Sequence, residues 1–244
     1  DRDRKNLFLA RDRCGEKPLY YWQDEDSFYF ASELKGLIAL LPKLPELSPE
    51  AIDLYLHYQY VPEPLTPLAG VLKLPAANCL TIELDNWQIQ PKPYWSLSRI
   101  EPIEGNPQQL IREQLDDAIA ITLRSDVPVG IALSGGIDSA AIATLAAPKY
   151  KDTLNTFSIG YPGRPRYDER SQAEELAKNL GLPFYDLELR TQDILNSFPD
   201  LVAASDEPIA DIAVAGHYGV MKLAADRGVK VMLSGIGGDE LFWG

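Results

Sequence analysis

The sequence predicts an α/β fold, in which a parallel sheet carries helices on both faces and follows a β-rich α+β region. From residue 108 onward, short apolar segments alternate with longer amphipathic ones, which is the pattern of repeated βα units. The apolar segments are hydrophobic along nearly their whole length, as expected of parallel strands that are covered on both faces. Four prolines between residues 91 and 107 separate this pattern from the part before it.

The composition is that of a globular protein with ample core. The chain has 244 residues, of which 45% are hydrophobic and 24% are charged. Its net charge of −13 argues against a nucleic-acid partner, because nucleic-acid phosphates favour a basic surface. No apolar run reaches the length of a membrane span, so no membrane partner is expected. Cys14 and Cys79 form no paired motif, and a reducing cytoplasm is the expected location.

The first part of the chain reads as β-rich, with two short helices. Aromatic and β-branched residues predict strands over residues 7–10, 19–22, 27–32 and 78–84. A hairpin through residues 23–26 joins the second of these strands to the third. Ser32 is the predicted cap of a short helix over 33–38. Ser48 followed by Pro49 predicts the start of a second helix, which continues to Tyr58.

The second part alternates between helices and strands. A helix over residues 110–124 has apolar residues along one side. The further helices are predicted over residues 139–147, 170–180, 193–204 and 214–227, and Gly228 suits the end of the last one. The strands between them are predicted over residues 129–133, 154–159, 184–189 and 229–233.

Two glycine-rich turns follow strands of the predicted parallel sheet. The segment 134–139 reads Ser-Gly-Gly-Ile-Asp-Ser, and the segment 234–240 reads Ser-Gly-Ile-Gly-Gly-Asp-Glu. Ligands of open α/β sheets bind beyond the carboxyl ends of the strands. Adjacent glycines let the backbone bend tightly and approach a ligand, and the helix N-terminus behind the first turn suits an anion. We therefore predict a site for a nucleotide pyrophosphate, with Asp138 and Asp239 sharing one Mg²⁺.

The two turns together resemble a known family. Ser134 to Ser139 is similar to the pyrophosphate loop of the ATP pyrophosphatase superfamily, and with Ser234 to Phe242 it resembles the synthetase domain of glutamine-hydrolysing asparagine synthetases. Residues 11–21 and 30–35 resemble the closing part of that family's glutaminase domain, an N-terminal-nucleophile hydrolase. The resemblance implies a PP-loop fold of the adenine nucleotide alpha hydrolase type over 108–244. It also implies the end of a glutaminase domain over 1–95, with a linker over 96–107.

The resemblance further implies a reaction, ligands and site residues. ATP and Mg²⁺ are the implied cofactors, aspartate is the acceptor, and glutamine or ammonia supplies the nitrogen. The intermediate is β-aspartyl-AMP, and AMP and pyrophosphate are released. A homodimer is one assembly that the resemblance leaves open. The residues implied in ATP binding are Leu133, Ser134, Gly135, Gly136, Asp138, Ser139, Ile159, Ser234 and Gly235, and those implied in metal binding are Asp138 and Asp239.

Departures from the family pattern leave alternatives open. The family's glutaminase cysteine and synthetase lysine fall outside the chain, so we expect a fragment that is inactive alone. Cys14 lies inside the Arg-Asp-Arg-Cys-Gly motif and is not that nucleophile. Ile236 stands where well-studied members have a glutamate. An amidotransferase or β-lactam-forming synthetase that acts on another carboxylate is therefore an alternative, and a non-catalytic nucleotide-binding module is another.

Smaller features have two readings each. Asp206, Glu207 and Asp211 gather before a helix, where they either favour the helix dipole or face the amino-acid substrate. Residues 167–169 read Tyr-Asp-Glu, and helix capping is favoured over a functional role for them. His57 and His217 have no partner at metal or triad spacing, so neither is favoured as a catalytic base.

Overall fold

The computed structural model describes residues 1, 3, 5–83 and 89–242. It divides into two compact units. The first comprises Asp1–Ile103 together with Val202–Asp211, and the second comprises Glu104–Leu201 together with Ile212–Gly244. The segment 202–211 thus belongs to the first unit, although it lies far along the chain. The domain ranges predicted from the resemblance stay predictions.

The first unit is an α+β arrangement built on two small antiparallel sheets. The strands are β1 Asn6–Ala10, β2 Tyr20–Gln23, β3 Phe28–Ala31, β4 Leu72–Lys73, β5 Asn78–Glu83 and β6 Lys92–Pro93, and the helices are α1 Leu34–Leu40 and α2 Pro49–Tyr58. One sheet has the order β1-β5-β6 and the other β3-β2-β4. The predicted hairpin is confirmed, because β2 and β3 pair antiparallel. Leu84, the last residue of the predicted fourth strand, lies outside the described residues.

The starts of the two helices show one correct and one wrong capping prediction. Ser48 caps α2, since its Oγ accepts from the N–H of Ala51 at 3.2 Å. Ser32 does not cap α1, whose N-cap position is Glu33 and has no side-chain capping bond. The carboxylate of Asp206 accepts from the N–H of Leu34 at 3.0 Å instead. A long-range partner therefore takes the place of the local cap.

The second unit contains the predicted parallel sheet. Its strands are β7 Val129–Ala132, β8 Asn155–Gly160, β9 Phe184–Glu188 and β10 Val231–Leu233. They pair in parallel in the order β10-β7-β8-β9. The helices are α3 Pro107–Thr122, α4 Ile137–Ala146, α5 Arg170–Asn179, α6 Thr191–Ala204, α7 Ala213–Ala225 and α8 Gly238–Phe242, and the last three residues of α6 belong to the first unit. The α/β fold class is confirmed.

Helices pack on both faces of the sheet. On one face, side chains of α3, α4 and α5 pack around Ile131 of β7 and around Leu133, the residue that follows β7. On the other face, Val220 and Ala224 of α7 pack against Phe157 of β8. Phe157 and Ile131 are fully buried. Among the described residues, no helix combines the length and the apolar character that a membrane crossing needs.

Candidate functional site

A cavity of about 690 Å³ opens at the carboxyl ends of β7, β8 and β10. Eight of the nine residues predicted to bind ATP line it, and so does Asp239; the exception is Gly135. The eight are Leu133, Ser134, Gly136, Asp138, Ser139, Ile159, Ser234 and Gly235. The arrangement follows from the topology, because parallel strands that are neighbours in a sheet end at the same edge. The structure thus places the predicted residues together, and their binding of ATP stays a prediction.

The two glycine-rich turns pack directly against each other. A Cβ atom built on Gly238 would lie 2.2 Å from Cγ of Asp138, and one built on Gly235 would lie 2.8 Å from the backbone N of Ser139. Both distances are far inside van der Waals contact, so only glycine fits at either position without a shift. The glycines of the second turn therefore make room for the aspartate of the first turn.

The sequence predicted that Asp138 and Asp239 share a divalent cation, and this stays a prediction. Both carboxylates line the cavity, and neither has a hydrogen bond or an ion pair within the part of the chain that the structure describes. No group of three or more His, Cys, Asp or Glu side chains that could hold a metal occurs among the described residues. Mg²⁺ commonly takes only one or two protein carboxylates and completes its shell with water and substrate phosphates. Two carboxylates that line one cavity and have no partner among the described residues fit that chemistry.

Ser134 and Ser139 stabilise the first turn through each other. Ser139 is only 4% exposed. Its Oγ accepts from the N–H of Ser134 at 3.1 Å and lies 2.8 Å from Oγ of Ser134. The Oγ of Ser134 in turn accepts from the N–H of Gly136 at 3.1 Å. The family resemblance implies ATP binding for both residues, and in this structure their hydroxyls close the turn.

Gly135 lies so close to the start of α5 that a larger residue would collide with it. The sequence alone did not show this contact. Neither Gly135 nor Gly136 has a positive φ. A Cβ on Gly135 would lie 2.7 Å from Cβ of Glu169. The N–H of Gly135 donates to Oε2 of Glu169 at 3.0 Å. The Glu169 carboxylate therefore binds one of the backbone N–H groups of the turn that we predicted to hold the phosphates.

A buried ion pair fixes the loop that follows β8. The Arg170 guanidinium and the Asp168 carboxylate are 3% and 1% exposed, and Nη2 lies 2.7 Å from Oδ2. These hydrogen bonds to Arg170 hold the pKa of Asp168 well below its ordinary value. Asp168 also accepts from the N–H of Arg170 at 3.1 Å, whereas Glu169, at the N-cap position of α5, makes no capping bond. The capping interpretation of this segment is thus correct for Asp168 and wrong for Glu169.

Several side chains that the sequence did not single out as ligands also line the cavity. Tyr161, Tyr167 and His217 are among them, together with Met221. Tyr161 directly follows β8, so its position at a strand end was a signal in the sequence. Tyr167 and His217 reach the cavity through a loop and through α7, and no sequence spacing relates them to the glycine-rich turns. His57 lies on α2 in the first unit.

The predicted substrate-facing carboxylates belong to the first unit. Glu207 forms an ion pair with Lys73 at 2.9 Å, and the two side chains are 13% and 10% exposed. Tyr20 donates its hydroxyl to Glu207 at 2.8 Å. Burial, followed by this bond and the negative charge of Glu207, raises the pKa of Tyr20. Asp206 caps α1, and Asp211 is an exposed residue at the end of the segment. A role in substrate binding stays a prediction for all three carboxylates.

The Arg-Asp-Arg-Cys-Gly motif stabilises a turn of the first unit. Arg11 is 7% exposed, donates to the carbonyl oxygens of Leu74 and Gly15 at 2.8 Å each, and pairs with Glu63. Partial burial opposes ionisation of Asp12, but backbone N–H groups of the turn, led by that of Lys17, outweigh it and lower the pKa of this carboxyl. The side chains of Arg11 and Asp12 therefore stabilise this turn.

Comparison with known proteins identifies both parts of the chain. A family model described as asparagine synthase matches residues 110–244, and one described as a glutamine amidotransferase domain matches residues 1–95. Glutamine-hydrolyzing asparagine synthetase 1 of Bacillus subtilis is 38% identical over 98% of this chain and 37% of its own length. A putative glutamine-hydrolyzing asparagine synthetase 2 of Methanocaldococcus jannaschii is 35% identical over 100% of this chain and 48% of its own length.

A third relative carries a different name. Amidase chyE of Penicillium rubens is 29% identical over 100% of this chain and 38% of its own length. The chain thus spans between a third and a half of the length of these three relatives.

Proposed function

Because the chain belongs to the asparagine synthase family, we propose that it provides the nucleotide site of a glutamine-hydrolysing asparagine synthetase. The observation that carries this proposal is the meeting of the two glycine-rich turns. Asp138 of the first turn packs against Gly238 of the second, and the two turns face one cavity at the carboxyl ends of parallel strands. Such a cavity suits a nucleotide whose phosphates lie at the turns.

The proposed reaction has two steps. An oxygen of the aspartate side-chain carboxylate attacks the α-phosphorus of ATP, and the bond to the bridging oxygen breaks, so that pyrophosphate leaves and β-aspartyl-AMP forms. The nitrogen of ammonia then attacks the acyl carbon, AMP leaves with the electron pair of the acyl–oxygen bond, and the nitrogen loses a proton to give asparagine. Glutamine hydrolysis supplies the ammonia. The match of residues 1–95 to a glutamine amidotransferase domain supports that source.

The residues of the chain have separable roles in this proposal. The backbone N–H groups of Ser134, Gly135 and Gly136 already have partners within the chain, so the N–H groups at the uncapped N-terminus of α4 hold the pyrophosphate group, toward which the helix dipole points. Leu133 and Ile159 line the part of the cavity for adenine and ribose, with Ser234 and Gly235 closing it. Asp138 and Asp239 hold Mg²⁺, which neutralises charge on the leaving pyrophosphate when it is bound.

An isotope experiment tests the adenylation step. The whole protein is incubated with ATP, Mg²⁺, glutamine and aspartate that carries ¹⁸O in its side-chain carboxylate. We expect one ¹⁸O atom in the phosphate of AMP and none in pyrophosphate, because the attacking oxygen stays on the α-phosphorus. Formation of ADP, with ¹⁸O in inorganic phosphate, would overturn the proposal. The Asp138→Ala variant is the control, and we expect it to release no pyrophosphate above background.

A second candidate keeps the chemistry and changes the acceptor. Ile236 is 71% exposed and lines the cavity at the position where the family resemblance has a glutamate. An isoleucine cannot accept or donate a proton as a glutamate would. In this second candidate, the carboxylate substrate is therefore one other than aspartate. The similarity to an amidase of Penicillium rubens supports this candidate. A panel of carboxylates assayed for pyrophosphate release separates the two, since no response to aspartate would exclude the first candidate.

The 244-residue chain is expected to bind nucleotide without sustaining turnover. This expectation follows from the relatives, more than half of whose length has no counterpart in the alignment with this chain. Binding of ATP with no pyrophosphate release by the whole protein would instead favour the non-catalytic module. The cytoplasm stays the proposed location of the protein.

A further inference from the structure

The backbone N–H groups of the first glycine-rich turn have partners of two kinds. The N–H of Ser134 donates to Oγ of Ser139, and the N–H of Gly136 donates to Oγ of Ser134, both at 3.1 Å. These two bonds lie inside the turn. The N–H of Gly135 instead donates at 3.0 Å to Oε2 of Glu169, which lies 34 positions further along the chain. This partner can therefore leave without opening the bonds that shape the turn.

The side chain of Glu169 is free to turn away from Gly135. Glu169 is exposed, and it makes no capping bond at the N-cap position of α5. Among the described residues, its carboxylate accepts from the N–H of Gly135 and has no cationic partner. A single hydrogen bond to an exposed carboxylate contributes little net free energy, because water offers the carboxylate equivalent bonds. Glu169 can therefore exchange between the turn and the solvent.

The backbone that carries Glu169 is fixed, so the movement is one of the side chain. Its neighbours Asp168 and Arg170 form the buried ion pair described above. The N–H of Tyr161 also donates to Oδ2 of Asp168 at 3.1 Å, which ties the residue after β8 to the start of α5. A Cβ atom on Gly135 would lie 2.7 Å from Cβ of Glu169. The start of α5 therefore stays against the turn while the carboxylate rotates about the side-chain bonds.

Glu169 also explains why Gly135 is the one predicted ATP-binding residue that does not line the cavity. The other eight line it, and so does Glu169. A carboxylate bound to the N–H of Gly135 separates this donor from the open space. Its oxygens are anionic, as those of a phosphate group are, and the backbone N–H groups of such turns bind either kind of anion. A phosphate oxygen therefore reaches this N–H only when the carboxylate leaves it.

We propose that the carboxylate of Glu169 competes with the pyrophosphate group for the N–H of Gly135. A phosphate oxygen that binds this donor replaces the carboxylate, which then turns to solvent, so that one hydrogen bond is exchanged for another. The competition acts beside the N–H groups at the uncapped start of α4, which hold the same group. It weakens the binding of pyrophosphate and thereby favours its release after adenylation. This inference rests on the proposed function, which assigns pyrophosphate to the first turn.

Calorimetric titrations of the whole protein with Mg²⁺–pyrophosphate and with AMP test the proposal. We expect Glu169→Ala to bind pyrophosphate about 2-fold to 10-fold more tightly, the range for one net hydrogen bond. AMP binding stays unchanged, because AMP lacks the pyrophosphate group. The gain persists at about 1 M salt, where the Debye length is only about 3 Å and repulsion between exposed charges is screened. The matched control is Glu174→Ala, which removes an exposed carboxylate from the same helix α5 and retains the wild-type affinity for pyrophosphate.

The outcomes separate this inference from the proposed function. Weaker pyrophosphate binding in Glu169→Ala would mean that the carboxylate supports the turn, and would overturn the competition. A gain that disappears at high salt, or that AMP binding shares, would show general charge repulsion and would overturn it as well. Unchanged pyrophosphate binding in that variant would do the same, while leaving the nucleotide site in place. A wild-type protein that binds neither pyrophosphate nor AMP would overturn the proposed function and the inference together.

Discussion

Replacing Gly238 by alanine should displace the carboxylate of Asp138 while leaving the fold intact. The added Cβ atom would lie 2.2 Å from Cγ, 2.3 Å from Oδ2 and 2.6 Å from Oδ1 of Asp138. Ordinary contact begins at 3.4 Å, so Cγ must move by about 1.2 Å. The atoms in the way belong to the end of one short side chain, which can rotate about its Cα–Cβ bond. The backbone of both turns can therefore stay where it is.

The expected magnitudes differ between folding and ligand binding. Gly238 begins α8, and alanine is favoured over glycine in a helix by about 0.5–1 kcal/mol, which offsets part of the cost of rotating Asp138. We expect the free energy of unfolding to change by less than about 1 kcal/mol. A misplacement of about 1 Å at a reacting group can cost about 100-fold in rate, and we expect a loss of this size in pyrophosphate release by the whole protein.

The assay combines denaturant unfolding, calorimetric titration by ATP in the presence of Mg²⁺, and pyrophosphate release by the whole protein. Gly36→Ala is the matched control, because a Cβ atom on Gly36 meets nothing closer than 3.7 Å. In an Asp138→Ala background, Gly238→Ala should have little further effect, since the displaced carboxylate is already gone. If Gly238→Ala weakened ATP binding as much in that background as in the wild type, the reasoning through Asp138 would be refuted.

Three further predictions concern charged groups. Arg170 lowers the pKa of Asp168, so this carboxylate stabilises the fold above about pH 4, and its contribution is lost as the pH falls below that value. Asp168→Asn should cost about 3 kcal/mol at pH 7 and flatten the acid limb of a pH–stability curve; an unchanged limb would contradict this. Glu169→Gln should strengthen pyrophosphate binding, because it removes a negative charge from the N–H of Gly135; weaker binding in the titration would contradict this. Glu207→Ala should lower the urea-unfolding free energy by about 3 kcal/mol, and a change below about 1 kcal/mol would contradict a stabilising ion pair.

The parts of the site that could be predicted from sequence depend on local pattern. Strands β7 and β10 are short apolar segments followed by Ser-Gly turns, and the rule that parallel strands end at one edge was sufficient to place Asp138 and Asp239 at one cavity. Ile159, at the end of β8, was assigned to the site by the family resemblance, and it lines the same cavity. These positions follow from strand order and direction, which the alternation of βα units indicates before any coordinates are known.

The parts that could not be predicted depend on residues that are distant in sequence. The hydrogen bond from Gly135 to Glu169 joins residues 34 positions apart, and no periodicity relates them. The capping bond of α1 comes from Asp206, which lies 172 positions from Leu34. A local rule assigned that cap to Ser32, because a nearby hydroxyl is the usual partner of a helix N-terminus. The partly buried carboxylate of Asp206 accepts from backbone N–H groups at the start of α1 in its place.

The residue pattern alone was sufficient for the fold class and for the two glycine-rich turns that follow strands of the parallel sheet. Those features follow from backbone geometry and from alternation along the chain, which are properties of neighbouring residues. The tertiary structure was needed to show why Gly235 and Gly238 must lack a side chain, and that Tyr167 reaches the cavity. It also showed that Glu207 pairs with Lys73 in the first unit. Such contacts depend on how separate elements pack in three dimensions, and packing is decided by shape and charge over the whole core.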